Sequence, residues 1–214
     1  MTGSPRAERC RLADPPPVVF LPGASGTAQF WAPVAQRLYR HGEKVLLEWP
    51  GLGDVPPRPD VGSLDDLVRL VLAHMERPVH LVAQSMGGVV ALLAALARPT
   101  AIARMVLVAT SGGIDLTPFG LADWRPDYAR YYPDAAPWIR HVRIDLTDRL
   151  SSIDKPVLLL WGDEDPISPV RVGERLKALL PKSELIVVRG GDHMVARDRA
   201  DAVAPLVDRH LFGG

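Results

Sequence analysis

A serine stands where an apolar run breaks. In HLVAQSMGGVVALLAALA, His80 to Ala97, both ends are apolar, while Gln84, Ser85, Gly87 and Gly88 interrupt the middle. A serine hydroxyl is a weak nucleophile; it needs a base to take its proton and an acid to orient that base. Two later stretches offer such groups. VLLLWGDEDPISP carries Asp163 and Asp165 after an apolar run, and LIVVRGGDHMV carries Asp192 and His193 after another. Serine, carboxylate and imidazole are the side chains of nucleophilic acyl transfer. The other histidines have different settings. His41 and His74 fall at helix ends, where a cation suits the dipole. His80 opens a strand at the far edge from Ser85, His141 lies in an irregular segment, and His210 lies in the last helix.

The elements that must position these groups are legible as patterns. Six short, largely β-branched apolar runs recur: Val18–Leu21, Val45–Leu47, Val79–Ala83, Met105–Ala109, Val157–Trp161 and Leu185–Val188. None alternates polar with apolar, so each reads as a strand buried on both faces of a parallel sheet. Helical spacing predicts helices over Gln29–Arg40, Ser63–Met75 with Ser63 as N-cap, Met86–Ala97, Val170–Leu180 and Ala200–Phe212. Alternating strand and helix defines an α/β fold, a doubly wound, mainly parallel sheet of about six strands with helices on both faces.

Ligands of such sheets bind beyond the carboxyl ends of the strands. Ser85, the Asp163–Asp165 loop and His193 all follow strand ends. A strand that turns at once into a helix strains the corner residue and demands small neighbours, here Ala83, Gly87 and Gly88. The corner lifts the hydroxyl clear of the sheet, and the helix N-terminus favours an oxyanion.

These features resemble the α/β-hydrolase superfamily over roughly Val18 to the C-terminus. Its Gly-x-Ser-x-Gly elbow is Ala83-Gln84-Ser85-Met86-Gly87 here, with alanine in the first place. The resemblance implies Ser85 as nucleophile, His193 as base and, three residues after Gly162, Asp165 as acid; Asp163 is the fallback, or hydrogen-bonds the loop instead. It also implies an oxyanion hole of the Met86 and Ala24 backbone N–H groups. The family's His-Gly before that second donor is Pro22-Gly23 in this chain. Ser25 either adds a donor or forms a turn. WPGLGD resembles the family's Asp-x-x-Gly-x-Gly segment, with Glu48 for the aspartate; with no third glycine or helix in place, it is not a dinucleotide site.

Between Ser111 and Thr147 no strand is predicted, and the segment reads as a small lid insertion. Trp124, Tyr128, Tyr131 and Tyr132 fall at i, i+4, i+7 and i+8 on a short helix, with Pro126 in its first turn and Pro133 at its end. Either these rings pack on the sheet's helices or, with Ser25 and Gln84, Trp124, Tyr128 and Tyr131 line a substrate pocket. The resemblance implies hydrolysis of a small or medium carboxylic ester or thioester through an acyl-enzyme. Fold and triad do not separate this from C–C bond hydrolysis, cyanohydrin lysis or a non-catalytic ligand receptor. Serine at the elbow argues against dehalogenases and epoxide hydrolases, which need aspartate there. The family's N-terminal hairpin has no counterpart in the about seventeen residues before Val18, which leaves six parallel strands and room for a short edge strand.

Composition bounds the partners. Lys+Arg and Asp+Glu balance at 25 each, so no basic excess points to nucleic acid or acidic lipid. The single cysteine, Cys10, excludes an internal disulfide framework and a cysteine zinc site. No run approaches transmembrane length and the N-terminus lacks a signal-type apolar core, so a cytoplasmic protein is expected. No cofactor or metal is expected, and the oligomeric state is open. The expected organisation is a flexible Pro-rich segment 1–17 and one hydrolase domain, 18–214, with the lid at about 111–147.

Overall fold

The computed structural model describes residues 15–39, 42–121 and 123–213. Cys10, His41 and residues 1–14 of the expected flexible segment lie outside them. Six strands form one parallel sheet: β1 (Val18–Leu21), β2 (Lys44–Leu46), β3 (Val79–Gln84), β4 (Ile102–Val108), β5 (Val157–Gly162) and β6 (Ser183–Val188). Their order is β2-β1-β3-β4-β5-β6. Every residue of β1, β3 and β5 is buried, which is why these strands carry no polar face. The chain winds outward from β1 to β2, then reverses across the sheet from β3 to β6. The reversal opens a crevice at the carboxyl ends of β1 and β3, where such sheets bind ligands.

Two apolar layers sandwich the sheet. Leu81, Met105, Leu107 and Leu159 point to one side, against α2 (Leu64–Leu72), α3 (Met86–Ala97) and α5 (Val170–Leu179). Phe20, Val82, Val106 and Leu158 point to the other, against α1 (Ala32–Arg37), α6 (Val195–Asp198) and α7 (Ala200–Phe212). Neighbours Leu81 and Val82 face opposite layers, as the two-residue period of a strand requires. Ser63 caps α2 by accepting the Asp66 N–H, and Asp65 and Asp66 sit in its first turn, where negative charge suits the dipole.

One expected helix is divided. Gln29–Arg40 becomes a 3-10 turn, Ala28–Phe30, followed by α1. Pro33 has no N–H to give to a preceding turn, so it starts a helix and cannot continue one. Among the described residues between β4 and β5 the chain forms α4 (Arg125–Tyr131) and three short 3-10 turns, and no strand. This segment returns to the loops after β1 and β2: Ala136 N–H donates to Gly51 O at 2.7 Å, and Tyr128 reaches Ala24 and Gly53. It therefore joins both sides of the β3 end that carries Ser85.

At the opposite edge, His80 is buried at the start of β3, edge-on to Phe212 at 5.4 Å between ring centroids. Burial, then the neighbouring Arg104 and His210, push its imidazole down from 6.5 to about 4. His210 is lowered too, by burial first and then by Arg104. The neutral rings belong to the fold, so the unfolded chain takes up protons first as the pH falls. Stability is therefore full above about pH 6.5 and is lost progressively towards about pH 4. The melting temperature should fall through that window, and less steeply in His80→Gln. An equally steep fall in that variant would show that the imidazole does not carry the effect.

Candidate active site

Ser85 stands between β3 and α3 with φ 51° and ψ −122°. A non-glycine residue there costs about 1–3 kcal/mol. Three hydrogen bonds hold it: Ser85 N–H donates to Val108 O at 2.9 Å, and Ser85 O accepts from Gly88 N–H at 3.0 Å and from the Thr110 hydroxyl at 2.6 Å. At about 1 kcal/mol net each, they match the strain. The glycines are steric requirements. A Cβ on Gly87 would lie 2.3 Å from Pro22 O, and one on Gly88 would lie 2.5 Å from the Thr110 hydroxyl oxygen.

Asp165 and His193 meet beyond the ends of β5 and β6. His193 Nδ1 lies 2.8 Å from Asp165 Oδ2. The Asp165 side chain is wholly buried, and its Oδ1 accepts the Ile167 and Ser168 N–H groups at 2.8 and 2.9 Å. Three donors offset the cost of burying the carboxylate. A carboxylate at Nδ1 assigns the proton to that nitrogen and leaves Nε2 as an acceptor. Asp163 serves the loop: its Oδ1 accepts Gly190 N–H at 2.6 Å. The two loops touch so closely that a Cβ on Gly162 would lie 2.1 Å from Gly191 O. Among the described residues no hydrogen bond joins Ser85 Oγ to the His193 ring, a bond that commonly closes only with substrate.

The loop after β1 passes directly against the serine. A Cβ on Gly23 would lie 3.2 Å from Ser85 Cβ and 2.2 Å from Gln84 Oε1. Ala24 follows Gly23, and Met86 opens α3; neither N–H donates to another group among the described residues. Ser25 lines a cleft of about 280 Å³ with Glu48, Asp54, Val55 and Tyr132.

The structure separates the remaining expected pocket residues. Gln84 is buried beneath the site, and its Nε2 donates to His193 O at 3.3 Å. Tyr128 is buried, with Trp124 edge-on at 5.5 Å and Tyr132 at 5.1 Å between ring centroids. Tyr131 is 68% exposed, under the Arg130 guanidinium, and does not join this cluster. Trp124, Tyr128 and Tyr132 follow the i, i+4, i+8 row, and Tyr131, the last residue of α4, lies off that row. Sequence reasoning missed Thr110 and Ser168. Both are buried, and Ser168 Oγ donates to Thr110 O at 3.5 Å, so the two connect the Ser85 corner to the Asp165 turn. For Thr110 the available signal was a polar residue directly after an apolar run; Ser168, six residues past β5, carried no such signal.

The alpha/beta hydrolase family model matches residues 18–152, and a TAP-like protein model matches residues 136–214. The chain belongs to the alpha/beta hydrolase family. It is 28% identical to polyketide synthase ThaQ of Burkholderia thailandensis, over 97% of this chain but 12% of that protein, and so spans only a small part of it. It is also 28% identical to the pimeloyl-[acyl-carrier protein] methyl ester esterase of Neisseria meningitidis serogroup B, over 78% of this chain and 82% of the esterase. A solved meta-cleavage product hydrolase from Pseudomonas fluorescens IP01 shares the fold, with TM-score 0.75, 18% identity, and 92% and 90% of the two chains covered. Among the described residues no helix is long and apolar enough to cross a membrane.

The two carboxylates should separate by experiment. Asp165→Asn should slow fluorophosphonate labelling of Ser85 by several orders of magnitude, because the ring loses its fixed tautomer. Asp163→Asn keeps an oxygen for Gly190 N–H and should cost less than about tenfold. The reverse ranking would assign the acid to Asp163.

Proposed function

We propose that this chain is a serine hydrolase that cleaves a small or medium carboxylic ester or thioester through an acyl-enzyme. The observation that carries the reading is the 2.8 Å contact of buried Asp165 with His193 at the sheet edge that holds the strained Ser85. Ser85 Oγ attacks the acyl carbon while His193 Nε2 takes its proton. Asp165 keeps the ring oriented and stabilises the imidazolium. The carbonyl oxygen becomes an oxyanion and accepts from the Met86 and Ala24 N–H groups. The carbon–leaving group bond breaks as His193 returns the proton to the departing oxygen or sulfur. Water, activated by the same imidazole, then attacks the acyl-enzyme, releases the acid and restores Ser85.

Similarity to a methyl ester esterase over most of its length supports a carboxylic ester as substrate.

A screen of aryl esters of increasing acyl length tests the reading. Turnover should favour short and medium acyl chains, and Ser85→Ala should lower it by at least about a thousandfold with the melting temperature nearly unchanged, since alanine fits the same corner. A Ser85→Ala variant that kept more than about a tenth of wild-type turnover would remove Ser85 from the chemistry. A profile rising steadily to long chains would contradict the substrate class.

A further inference from the structure

The hydroxyl of Tyr128 is used twice. It donates to Ala24 O at 2.8 Å and accepts from Gly53 N–H at 3.0 Å. The ring is 8% exposed, wedged between Trp124 and Tyr132. Tyr128 belongs to α4, an element of the β4–β5 segment, whereas Ala24 and Gly53 belong to the loops after β1 and β2. One side chain thus ties three separate parts of the chain at the carboxyl edge of the sheet.

The two loops are already fastened at their bases. Trp49 Nε1 donates to Pro22 O at 2.7 Å, and Trp49 N–H donates to Gly26 O at 2.9 Å. Gly53 presses on the first loop so closely that a Cβ there would lie 2.0 Å from Ser25 O. Those contacts hold Pro22, Gly26 and Ser25, which flank Ala24. Ala24 itself sits in the turn closed by Gly26 N–H on Gly23 O at 3.1 Å. The Tyr128 hydroxyl is the group that reaches the Ala24 carbonyl.

We propose that Tyr128 is a positioning residue that clamps the oxyanion loop, so that the β4–β5 segment sets where the Ala24 N–H points. The inference rests on the serine hydrolase reading above. A backbone donor counts only if it lies within hydrogen-bond reach of the developing oxyanion, and a misplacement of about 1 Å costs about a hundredfold. The clamp acts through the loop, touches no reacting atom and needs the phenol protonated as a donor. Burial raises the Tyr128 phenol above its ordinary value, which keeps that proton in place. The expected pocket role of Tyr128 is thereby replaced: its polar tip is committed to backbone and does not face a ligand.

Tyr128→Phe tests this, because it keeps the ring packing and deletes only the hydroxyl. With an aryl ester, kcat should fall about 10- to 100-fold while KM changes less than about threefold, as for a group whose benefit appears in the transition state. Affinity for a trifluoromethyl ketone, which forms an oxyanion on the serine, should fall by the same factor, while affinity for the product acid should hold. A generally loosened fold would weaken both ligands. Equal losses for ketone and acid, or a kcat within twofold of wild type, would overturn the clamp. Fluorophosphonate labelling of the wild-type chain separates the two readings. A labelled Ser85 with an unaffected Tyr128→Phe variant overturns the clamp alone, and a wild-type Ser85 that resists labelling overturns the serine reading and the clamp with it.

Discussion

Everything at the carboxyl edge depends on one backbone corner, Ser85 at φ 51°. The corner is unfavourable by itself and persists because its surroundings leave it no alternative. Its N–H is taken by β4 and its carbonyl by α3 and Thr110. Thr110 can reach that carbonyl because Ala109, at the end of the neighbouring strand, also has a positive φ, 47°. Two strained residues on adjacent strands therefore support each other. Gly88 must lack a side chain to leave Thr110 its place, and Gly87 must lack one to let β1 approach. Substituting any one of these residues disturbs the others, so the elbow behaves as a unit.

The parallel sheet supplies the rest of the geometry at little cost. All six strands deliver their following loops to one edge, so Ser85, Asp165 and His193, far apart in the chain, lie at that same edge. The reversal between β1 and β3 leaves the space in which a substrate would sit. Backbone contacts then place His193. Glu164 N–H donates to Gly191 O at 2.9 Å, and Gln84 ties His193 O to the elbow. The His193 ring keeps one freedom, rotation, and Asp165 removes it.

Much of this was legible from particular residues. Ser85, Asp165 and His193 lie one, three and five residues past the ends of β3, β5 and β6, and a parallel sheet gathers such positions at one edge. The family resemblance favoured Asp165 over Asp163, but the inward turn of the Asp165 carboxylate through Ile167 and Ser168 has no sequence pattern of its own. Strand alternation could not reveal that Gln84, beside Ser85, donates to the His193 carbonyl. The aromatic spacing grouped Tyr131 with the other rings, but the cluster follows the i, i+4, i+8 row of Trp124, Tyr128 and Tyr132 and leaves Tyr131 exposed. Tyr128 was legible as important but not in its role: no local pattern announces a hydroxyl that bridges two loops more than seventy residues away.

The account stands on a covalent intermediate at Ser85. Rapid mixing of the full chain with an excess of a nitrophenyl ester, followed by quenching and peptide mass mapping, tests it most directly. The account predicts a burst of nitrophenol equal to the enzyme concentration and an acyl mass on the peptide containing Ser85. Steady turnover with no acylated peptide, or an acyl group on another residue, would contradict it.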